Sequence, residues 1–301
     1  MRGPRCSIAT SIDDPSMLRV VAIGGGHGLA ASLRAIRTYS ESPTAVVSVA
    51  DDGGSSGLLR EQLGIIPPGD LRKCLGALAG ESSELARALE YRFEGSDIAG
   101  HPLGNLLIAG LVRSMGSTQA ALDETLKLLG GVGRVVPATT SPVALRAYTS
   151  SGAIDGQSRI MRTSHIERVC LVARHTEAPP EACDAIAGAD QVVIGPGSLY
   201  TSVLAALAGK GIREALSRCD GQKVYVANLH PQTGETEGYD VADHLAALRA
   251  HGIEVDVVLA DTSGIRLGAV GVRAVTKALA KSGGLAHDPL RLAEALQGLL
   301  G

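Results

Sequence analysis

The chain has 301 residues, a formal net charge of −3 at pH 7, and 45% hydrophobic against 20% charged residues. This composition is typical of a globular protein with a sizeable core and excludes a disordered chain. One Phe, six Tyr and no Trp, together with the acidic balance, argue against a nucleic-acid partner, because base stacking needs aromatic platforms and phosphate binding needs a basic surface.

Cysteine usage and the apolar stretches bear on cellular location. The five cysteines are scattered and form no C-x-x-C pair, which predicts reduced thiols and a cytoplasmic protein. The longest strongly apolar stretch, 103–112, is about half of the ~20 residues that a membrane span needs, so we expect no such span. We interpret residues 1–17 as a disordered extension that precedes a single domain over 18–301.

Short β-branched runs alternate with longer helical patterns along the chain. Runs that are apolar on both faces are typical of central strands in a parallel sheet. The predicted strands are 19–24, 44–50, 168–173, 191–195, 223–229, 255–261 and 274–279. The predicted helices are 28–39, 70–80, 82–92, 104–130 with a break near Gly116, 199–208, 240–251 and 288–300. This alternation predicts an α/β fold with a doubly wound, mostly parallel, Rossmann-like sheet.

Residues 134–168 break the alternation. They hold short strand-like pieces and Ser-Gly and Asp-Gly turn signals, with no helical pattern. We interpret this segment as a small β-rich excursion from the main sheet.

The first predicted strand runs directly into a glycine-rich loop. Such a loop at the start of a helix offers backbone amides and the positive end of the helix dipole to an anion. Residues 26–31 (GHGLAA) also match the G-x-G-x-x-A dinucleotide fingerprint, and a tight turn without a ligand is the alternative. The candidate binding residues are Gly24, Gly25, Gly26, His27 and Gly28.

A second polar loop follows the second predicted strand. Its carboxylates suit a ribose or a Mg²⁺ ion, and its hydroxyls and amides suit phosphate. An ordinary Asx-rich turn is the alternative, and the G-x-S-x-G pattern around Ser55 also leaves open a hydrolase. The candidates are Asp51, Asp52, Gly53, Gly54, Ser55 and Ser56, with Asp51 and Asp52 as metal ligands if Mg²⁺ is used.

Three polar residues lie at or near the starts of predicted helices. Asp70 is a candidate ligand contact or an ordinary helix N-cap. Arg72 could clamp a phosphate, because its planar guanidinium suits bidentate binding. Asn105 could offer its amide to a base or a sugar, or cap its helix.

Near the fourth and fifth predicted strands the same pattern of glycine and polar residues recurs, which suits a ligand that carries a diphosphate and sugar hydroxyls. The candidates are Gly195, Pro196, Gly197, Ser198, Tyr200, Thr201, Asn228, Gln232, Thr233 and Glu235. Metal signals are weak, since no H-E-x-x-H or Cys/His cluster occurs, and we assign no catalytic residue.

Several long strings closely resemble the YvcK family, whose members are described as gluconeogenesis factors or UDP-N-acetylglucosamine-binding proteins. These strings are GGGHGL, ADDGGSSGLLREQLGIIPPGDLRKCL, HPLGNLLIAGL, VIGPGSLYTSVLAAL and NLHPQTGETEGYDVADHL, and they lie within residues 19–261. The resemblance implies a CofD-like fold, in the superfamily of 2-phospho-L-lactate transferase, that binds a nucleotide sugar. It also implies a role in carbon metabolism, cell-wall precursor supply and cell shape. His27 and Lys73 depart from the residues usual in the family, Thr and Asn, and the chain after Asp261 drifts from the common pattern.

Three functions remain in competition. The first is a UDP-GlcNAc-binding regulator without turnover, which needs no cofactor. The second is a Mg²⁺-dependent transferase of the 2-phospho-L-lactate type. The third is an NAD(P)-dependent oxidoreductase, which rests on the glycine fingerprint alone and lacks a hydride-transfer constellation. We favour the first, with a homo-oligomer left open.

Overall fold

The computed structural model describes residues 17–79, 83–95 and 97–301. The prediction of a disordered extension over 1–17 therefore falls, except for its last residue, outside the described residues. Ten strands occur in this part of the chain: β1 (Val20–Gly24), β2 (Thr44–Val47), β3 (Arg134–Pro137), β4 (Ala144–Thr149), β5 (Gly152–Asp155), β6 (Arg168–Val172), β7 (Gln191–Ile194), β8 (Gln222–Val226), β9 (Val257–Ala260) and β10 (Arg273–Thr276).

Seven of these strands form one parallel sheet in the order β10-β9-β8-β7-β1-β2-β3. The chain starts at β1, moves outward to β3, and then returns to the other side of β1 with β7. The point at which the direction reverses lies between β1 and β7, and open α/β sheets bind ligands outside the carboxyl ends of the strands at such a switch point. The predicted doubly wound, mostly parallel α/β fold is confirmed.

Helices cover this sheet and connect its strands. They are α1 (Gly26–Ile36), α2 (Gly54–Leu63), α3 (Gly69–Ala79), α4 (Glu84–Glu90), α5 (Leu103–Met115), α6 (Thr118–Leu128), α7 (Gln157–Ile160), α8 (Pro180–Ala187), α9 (Leu204–Leu207), α10 (Ile212–Arg218), α11 (Val241–Ala250) and α12 (Pro289–Gln297). A π-helical turn over Leu199–Val203 leads into α9. In the described part of the chain, no helix is both long enough and apolar enough to span a bilayer.

The core is aliphatic because the central strands are buried on both faces. Every residue of β1, β7 and β9 is buried, as expected for strands sandwiched between two helical layers. α1 adds Leu29, Leu33 and Ile36 at three- and four-residue spacing, which places one apolar stripe against the sheet. One cluster of buried apolar residues extends from Val20 to Leu299.

The prediction that residues 168–173 form a strand of the main parallel sheet is wrong. β6 belongs to a separate antiparallel sheet in the order β5-β4-β6, whereas β3, which we assigned to the excursion, is the outer strand of the main sheet. Of the residues of β6, only Val169 is buried, so the strand lacks the two covered faces that its apolar sequence suggested. The excursion also contains the short helix α7, which the sequence did not indicate.

Several helices lie in regions that we interpreted as loops or left unassigned. α2 starts inside the predicted second loop, and α8 and α10 were not predicted. Gly64 closes α2 with a φ of +65°, a left-handed conformation that glycine adopts without strain. The predicted break near Gly116 is confirmed, because this glycine, also left-handed, separates α5 from α6.

Candidate functional site

A cavity of about 320 Å³ lies at the carboxyl edge of the main sheet, beside the switch point. We call it the edge cavity. Residues that follow β1, β2, β7 and β8 line it together with residues of α3 and the excursion. They are Gly25, Gly26, His27, Gly28, Asp51, Asp70, Lys73, Gln157, Met161, Gly197, Ser198, Thr201, Ser202 and Gln232.

The first glycine loop (24–28) joins β1 to α1. Gly26 has a φ of +65° and donates its amide to Asp70 Oδ2 at 2.8 Å. A Cβ on Gly25 would lie 2.8 Å from the same oxygen, so a side chain there would displace the Asp70 carboxylate. The first amides of a helix have no acceptor within it, so those of His27 and Gly28 remain to serve a ligand at the positive end of the dipole.

The second glycine loop (195–198) follows β7 and faces the first. The amide of Gly197 donates to Asn228 Oδ1 at 2.9 Å, and Gln232 Nε2 donates to Ser198 Oγ at 3.0 Å. The Gly195–Pro196 peptide is cis. Asn228 and Gln232, which we predicted only as direct ligand contacts, therefore also hydrogen-bond to this loop.

The two glycine loops touch each other. A Cβ on Gly28 would lie 2.3 Å from the carbonyl oxygen of Pro196, a distance that no real side chain tolerates. Ser32, in the second turn of α1, donates its hydroxyl to Gly195 O at 2.8 Å. The glycine at position 28 thus permits the close approach that closes one side of the cavity.

Two carboxylates, Asp51 and Asp70, line the edge cavity. Burial raises the pKa of Asp51, the amide of Gly53 partly offsets this effect, and the nearby Asp70 raises the pKa further. Asp70 does not cap its own helix, so that alternative is wrong: its carboxylate instead accepts from Gly26 and pairs with Lys73 at 3.0 Å. Asp70 therefore ties α3 to the first glycine loop.

His27 lies at the rim of the edge cavity. Partial burial of the imidazole lowers its pKa, and the ammonium of Lys73 lowers it further. The ring is therefore neutral at pH 7 and can offer one N–H to an anion while its other nitrogen accepts.

Most of the predicted second loop lies beside the cavity, not on it. Asp52 accepts hydrogen bonds from the amide and the hydroxyl of Ser158, at 3.0 and 2.8 Å. Ser56 is buried and accepts from the amide of Gly69. These hydrogen bonds connect the second loop and α2 to the excursion and to α3, beside the cavity. Asp51 is the carboxylate of this loop that lines the cavity.

Ser55 and Asn105 form a small polar cluster with His101. Ser55 Oγ lies 2.8 Å from His101 Nδ1 and accepts from Asn105 Nδ2 at 2.9 Å. Asn105 is 2% exposed, and its Oδ1 has no hydrogen-bond partner. Ser55 is the second residue of α2, and six residues (48–53) separate that helix from the end of β2. Ser55 therefore does not sit on the sharp strand-to-helix turn that a hydrolase nucleophile requires.

Arg72 is not placed to clamp a phosphate in the edge cavity. Its side chain is 2% exposed and pairs with Glu90 at 3.2 Å, beside the carbonyl of Leu89. Burial lowers its pKa, and Glu90 raises it in part. The structure therefore corrects this prediction: Arg72 anchors α3 to α4.

Glu235 and Tyr200 stabilise the π-helical turn that directly follows the second glycine loop. Glu235 is 2% exposed and accepts the amides of Tyr200 and Thr201, both at 3.2 Å. Burial raises its pKa, against the effect of these hydrogen bonds. The Tyr200 hydroxyl donates to Ile166 O at 2.9 Å. The other predicted residues that do not line the edge cavity are Gly24, Gly53, Gly54, Pro196, Gly195, Asn228 and Thr233.

Sequence reasoning missed four lining residues: Lys73, Gln157, Met161 and Ser202. Gln157 and Met161 come from α7 and its C-cap, and Gln157 Nε2 donates to Thr201 O at 3.0 Å. No local pattern marks these two, because they reach the cavity only through the packing of the excursion. Lys73 and Ser202 belong to strings that the sequence did single out.

An adjoining cavity of about 270 Å³ extends the site past the second glycine loop. Pro196, Asn228 and Gln232 line it from one side, and Leu285 and His287 from the other. The segment after Asp261, where the family pattern fades, therefore contributes to the same cleft. Among the described residues, no group of three or more His, Cys, Asp or Glu side chains could hold a metal ion.

Comparisons with known proteins place these features in a family. The family described as "2-phospho-L-lactate transferase CofD" matches residues 20–285. A gluconeogenesis factor from Halalkalibacterium halodurans is 44% identical over 246 residues, which cover 80% of this chain and 76% of that protein. A curated relative from Nostoc sp. is 43% identical over 235 residues, covering 77% of this chain, and the match spans only 52% of the relative's length.

A solved structure supports the fold. The crystal structure of a UPF0052 family member from Bacillus halodurans superimposes with a TM-score of 0.89 at 37% sequence identity, and covers 94% of this chain and 100% of that one. The sheet order and the edge at which the glycine loops meet thus occur in a framework that is shared at substantial sequence identity.

Proposed function

Because this chain belongs to the CofD family, and within it to the proteins named gluconeogenesis factors, we propose that it binds a nucleotide sugar, UDP-N-acetylglucosamine, in the edge cavity. One observation carries the proposal: two glycine loops, from β1 and β7, meet at the switch point of a doubly wound sheet. In such sheets this crevice receives the pyrophosphate of a nucleotide ligand.

The polar groups around the cavity suit the parts of such a ligand. The amides of His27 and Gly28 and the dipole of α1 favour the diphosphate. Asp51 faces the same space and offers a carboxylate to ribose hydroxyls. Gln232 lines both the edge cavity and the adjoining cavity, where its amide suits a sugar hydroxyl.

The cellular role follows as part of the same proposal. A protein that binds UDP-GlcNAc without turnover would sense the supply of a cell-wall precursor and regulate carbon flux toward it, in the cytoplasm. Since the chain matches about half of the length of the Nostoc relative, this role is proposed for the chain and not transferred from that protein.

Calorimetry with UDP-GlcNAc tests the proposal, and a matched pair of glycine variants assigns the binding to the cavity. Gly26 and Gly64 both have a φ of +65°, and a Cβ at either position meets no atom within 4 Å. Gly26→Val and Gly64→Val therefore impose the same kind of backbone strain. Only Gly26 lines the edge cavity, so only the first variant adds a side chain at the proposed site. We expect binding to be lost in Gly26→Val and kept in Gly64→Val; equal affinities in the two variants would remove the first glycine loop from the site.

A second candidate function is favoured by the two carboxylates on one cavity. Asp51 and Asp70 would repel a bare diphosphate, and a Mg²⁺ ion between them and the ligand would relieve this repulsion, as in a transferase of the 2-phospho-L-lactate type. The fit is partial, because no third His, Cys, Asp or Glu side chain joins these two carboxylates in a possible metal site among the described residues. Binding of UDP-GlcNAc that requires Mg²⁺ would favour this candidate, and tighter binding of NAD(P) would favour the oxidoreductase.

A further inference from the structure

A second space opens next to the edge cavity, between α1, α3 and α4. It has a volume of about 520 Å³ and shares His27 and Lys73 with the edge cavity. We call it the basic hollow. Its charged lining residues are Arg34, Lys73, Arg87, Glu90 and Lys281, so four cationic side chains face one carboxylate.

The carboxylates near the hollow are already paired. Glu90 binds Arg72 at 3.2 Å, and Asp70 binds Lys73 at 3.0 Å. Arg87 pairs with Glu84 on the surface of α4. Within the described residues, Arg34 and Lys281 form no ion pair, which leaves two cations from different segments facing one space without a counter-charge.

The room inside the hollow comes from small residues. Ala30, Gly76 and Ala86, one from each of the three helices, line its floor. A Cβ on Gly76 would meet no atom within 4 Å, so this face of α3 is open although the rest of the helix is packed. A volume of about 520 Å³ is in the range of small-molecule sites and exceeds what a bare phosphate ion needs.

We propose that the basic hollow binds a small phosphate-bearing metabolite that is distinct from the nucleotide in the edge cavity. The guanidinium of Arg34 suits bidentate binding of a phosphoryl group, and the ammonium of Lys281 adds a second donor. The small apolar floor accommodates the organic part of the molecule. This second site does not depend on the identity of the nucleotide next to it.

The test uses inorganic pyrophosphate as the probe, titrated calorimetrically into the full chain. Gly76→Leu directs an apolar side chain into the hollow from a position where a Cβ meets no atom within 4 Å, and Arg34→Gln removes the unpaired guanidinium. Arg37→Gln, at the C-cap of α1 three residues beyond Arg34, removes the same charge outside the lining and serves as the matched control. Gly26→Val blocks the first glycine loop and reports binding of the probe in the edge cavity.

We expect Gly76→Leu and Arg34→Gln each to weaken pyrophosphate binding about tenfold. Arg37→Gln and Gly26→Val should leave this binding in place. Pyrophosphate that does not bind, that binds equally to Gly76→Leu and the wild type, or that is lost in Gly26→Val alone would overturn the proposal. UDP-GlcNAc is also titrated into Gly76→Leu. If this nucleotide sugar does not bind, the result with pyrophosphate still stands, so the failure of one proposed site can be distinguished from the failure of the other.

Discussion

The glycine loops after β1 and β7 face the same cavity. In each case an acidic side chain from elsewhere in the chain accepts hydrogen bonds from backbone amides in the loop or directly after it. Asp70 holds the first loop through the amide of Gly26, lines the cavity and pairs with Lys73. Glu235 supports the second from below, through two amides, and has no ion pair among the described residues. The first loop is thus held by a charge that a ligand can reach, whereas the second is held by a charge that the fold has enclosed.

The largest effect is expected where the two loops touch. Gly28→Ala would place a Cβ 2.3 Å from the carbonyl oxygen of Pro196, so the loops must separate. We expect the free energy of unfolding to fall by about 3 kcal/mol, measured by chemical denaturation, and UDP-GlcNAc binding to be lost. Gly110→Ala, on open surface in α5, is the control and should gain up to about 1 kcal/mol; equal stability of the two variants would contradict the contact.

The enclosed carboxylate can be removed in two ways. Glu235→Ala leaves the buried amides of Tyr200 and Thr201 without an acceptor, and we expect a loss of about 2 kcal/mol in the free energy of unfolding. Glu235→Gln keeps one acceptor oxygen for both amides and should cost clearly less. If the two variants are equally destabilised, the negative charge, and not the acceptor, supports the second loop.

The same residue predicts a dependence on pH. Burial raises the pKa of Glu235 in the folded state above its usual value, so the folded protein binds this proton more tightly than the unfolded chain does. Its contribution to stability therefore falls as the pH rises from the usual value through the raised pKa. The stability of the wild type relative to Glu235→Gln, which cannot titrate, should decrease over this interval; an increase would contradict the assignment.

On the accessible side, Asp51→Asn tests what the cavity carboxylate holds. If it binds ribose, the amide loses a charge-assisted hydrogen bond, and UDP-GlcNAc affinity should fall about tenfold, equally with and without Mg²⁺. Asp52→Asn is the control, since Asp52 bonds to Ser158 and does not line the cavity. A loss that occurs only in the presence of Mg²⁺ would instead identify Asp51 as a metal ligand.

The smallest effect concerns the hydrogen bond between the loops. Ser32→Ala leaves the buried carbonyl of Gly195 without the hydroxyl that donates to it at 2.8 Å, and should cost about 1 kcal/mol of unfolding free energy. Ser114→Ala removes an exposed hydroxyl from α5 and should change stability little. Similar values for the two variants would show that the steric contact at Gly28, not this hydrogen bond, joins the loops.

The fold was predictable where a local pattern decides it. The runs at β1, β7 and β9 are apolar on both faces, which is typical of strands in a parallel sheet that is covered on both sides. The run at β6 has the same appearance, yet its partner is β4. Sequence pattern reports that a segment is apolar and extended, but pairing is set by the whole chain, so the partner of β6 could not be predicted.

The candidate site was predictable to the same extent. Glycines 25, 26, 28 and 197 mark loops whose backbone must approach another group, and each lines the edge cavity. The direction of a long side chain is not encoded locally, which is why Arg72 suggested a phosphate clamp and is instead buried against Glu90. The contribution of Gln157 depends on how the excursion packs, and no nearby residue signals it.

The most direct test of the central claim is a calorimetric titration of UDP-GlcNAc into the full chain, with and without Mg²⁺, in the wild type and in Gly28→Ala. Our account predicts saturable binding at one site, with the same affinity in both buffers, and its loss in Gly28→Ala. Absence of binding to the wild type, or binding that requires Mg²⁺ and is followed by release of nucleoside monophosphate, would contradict it.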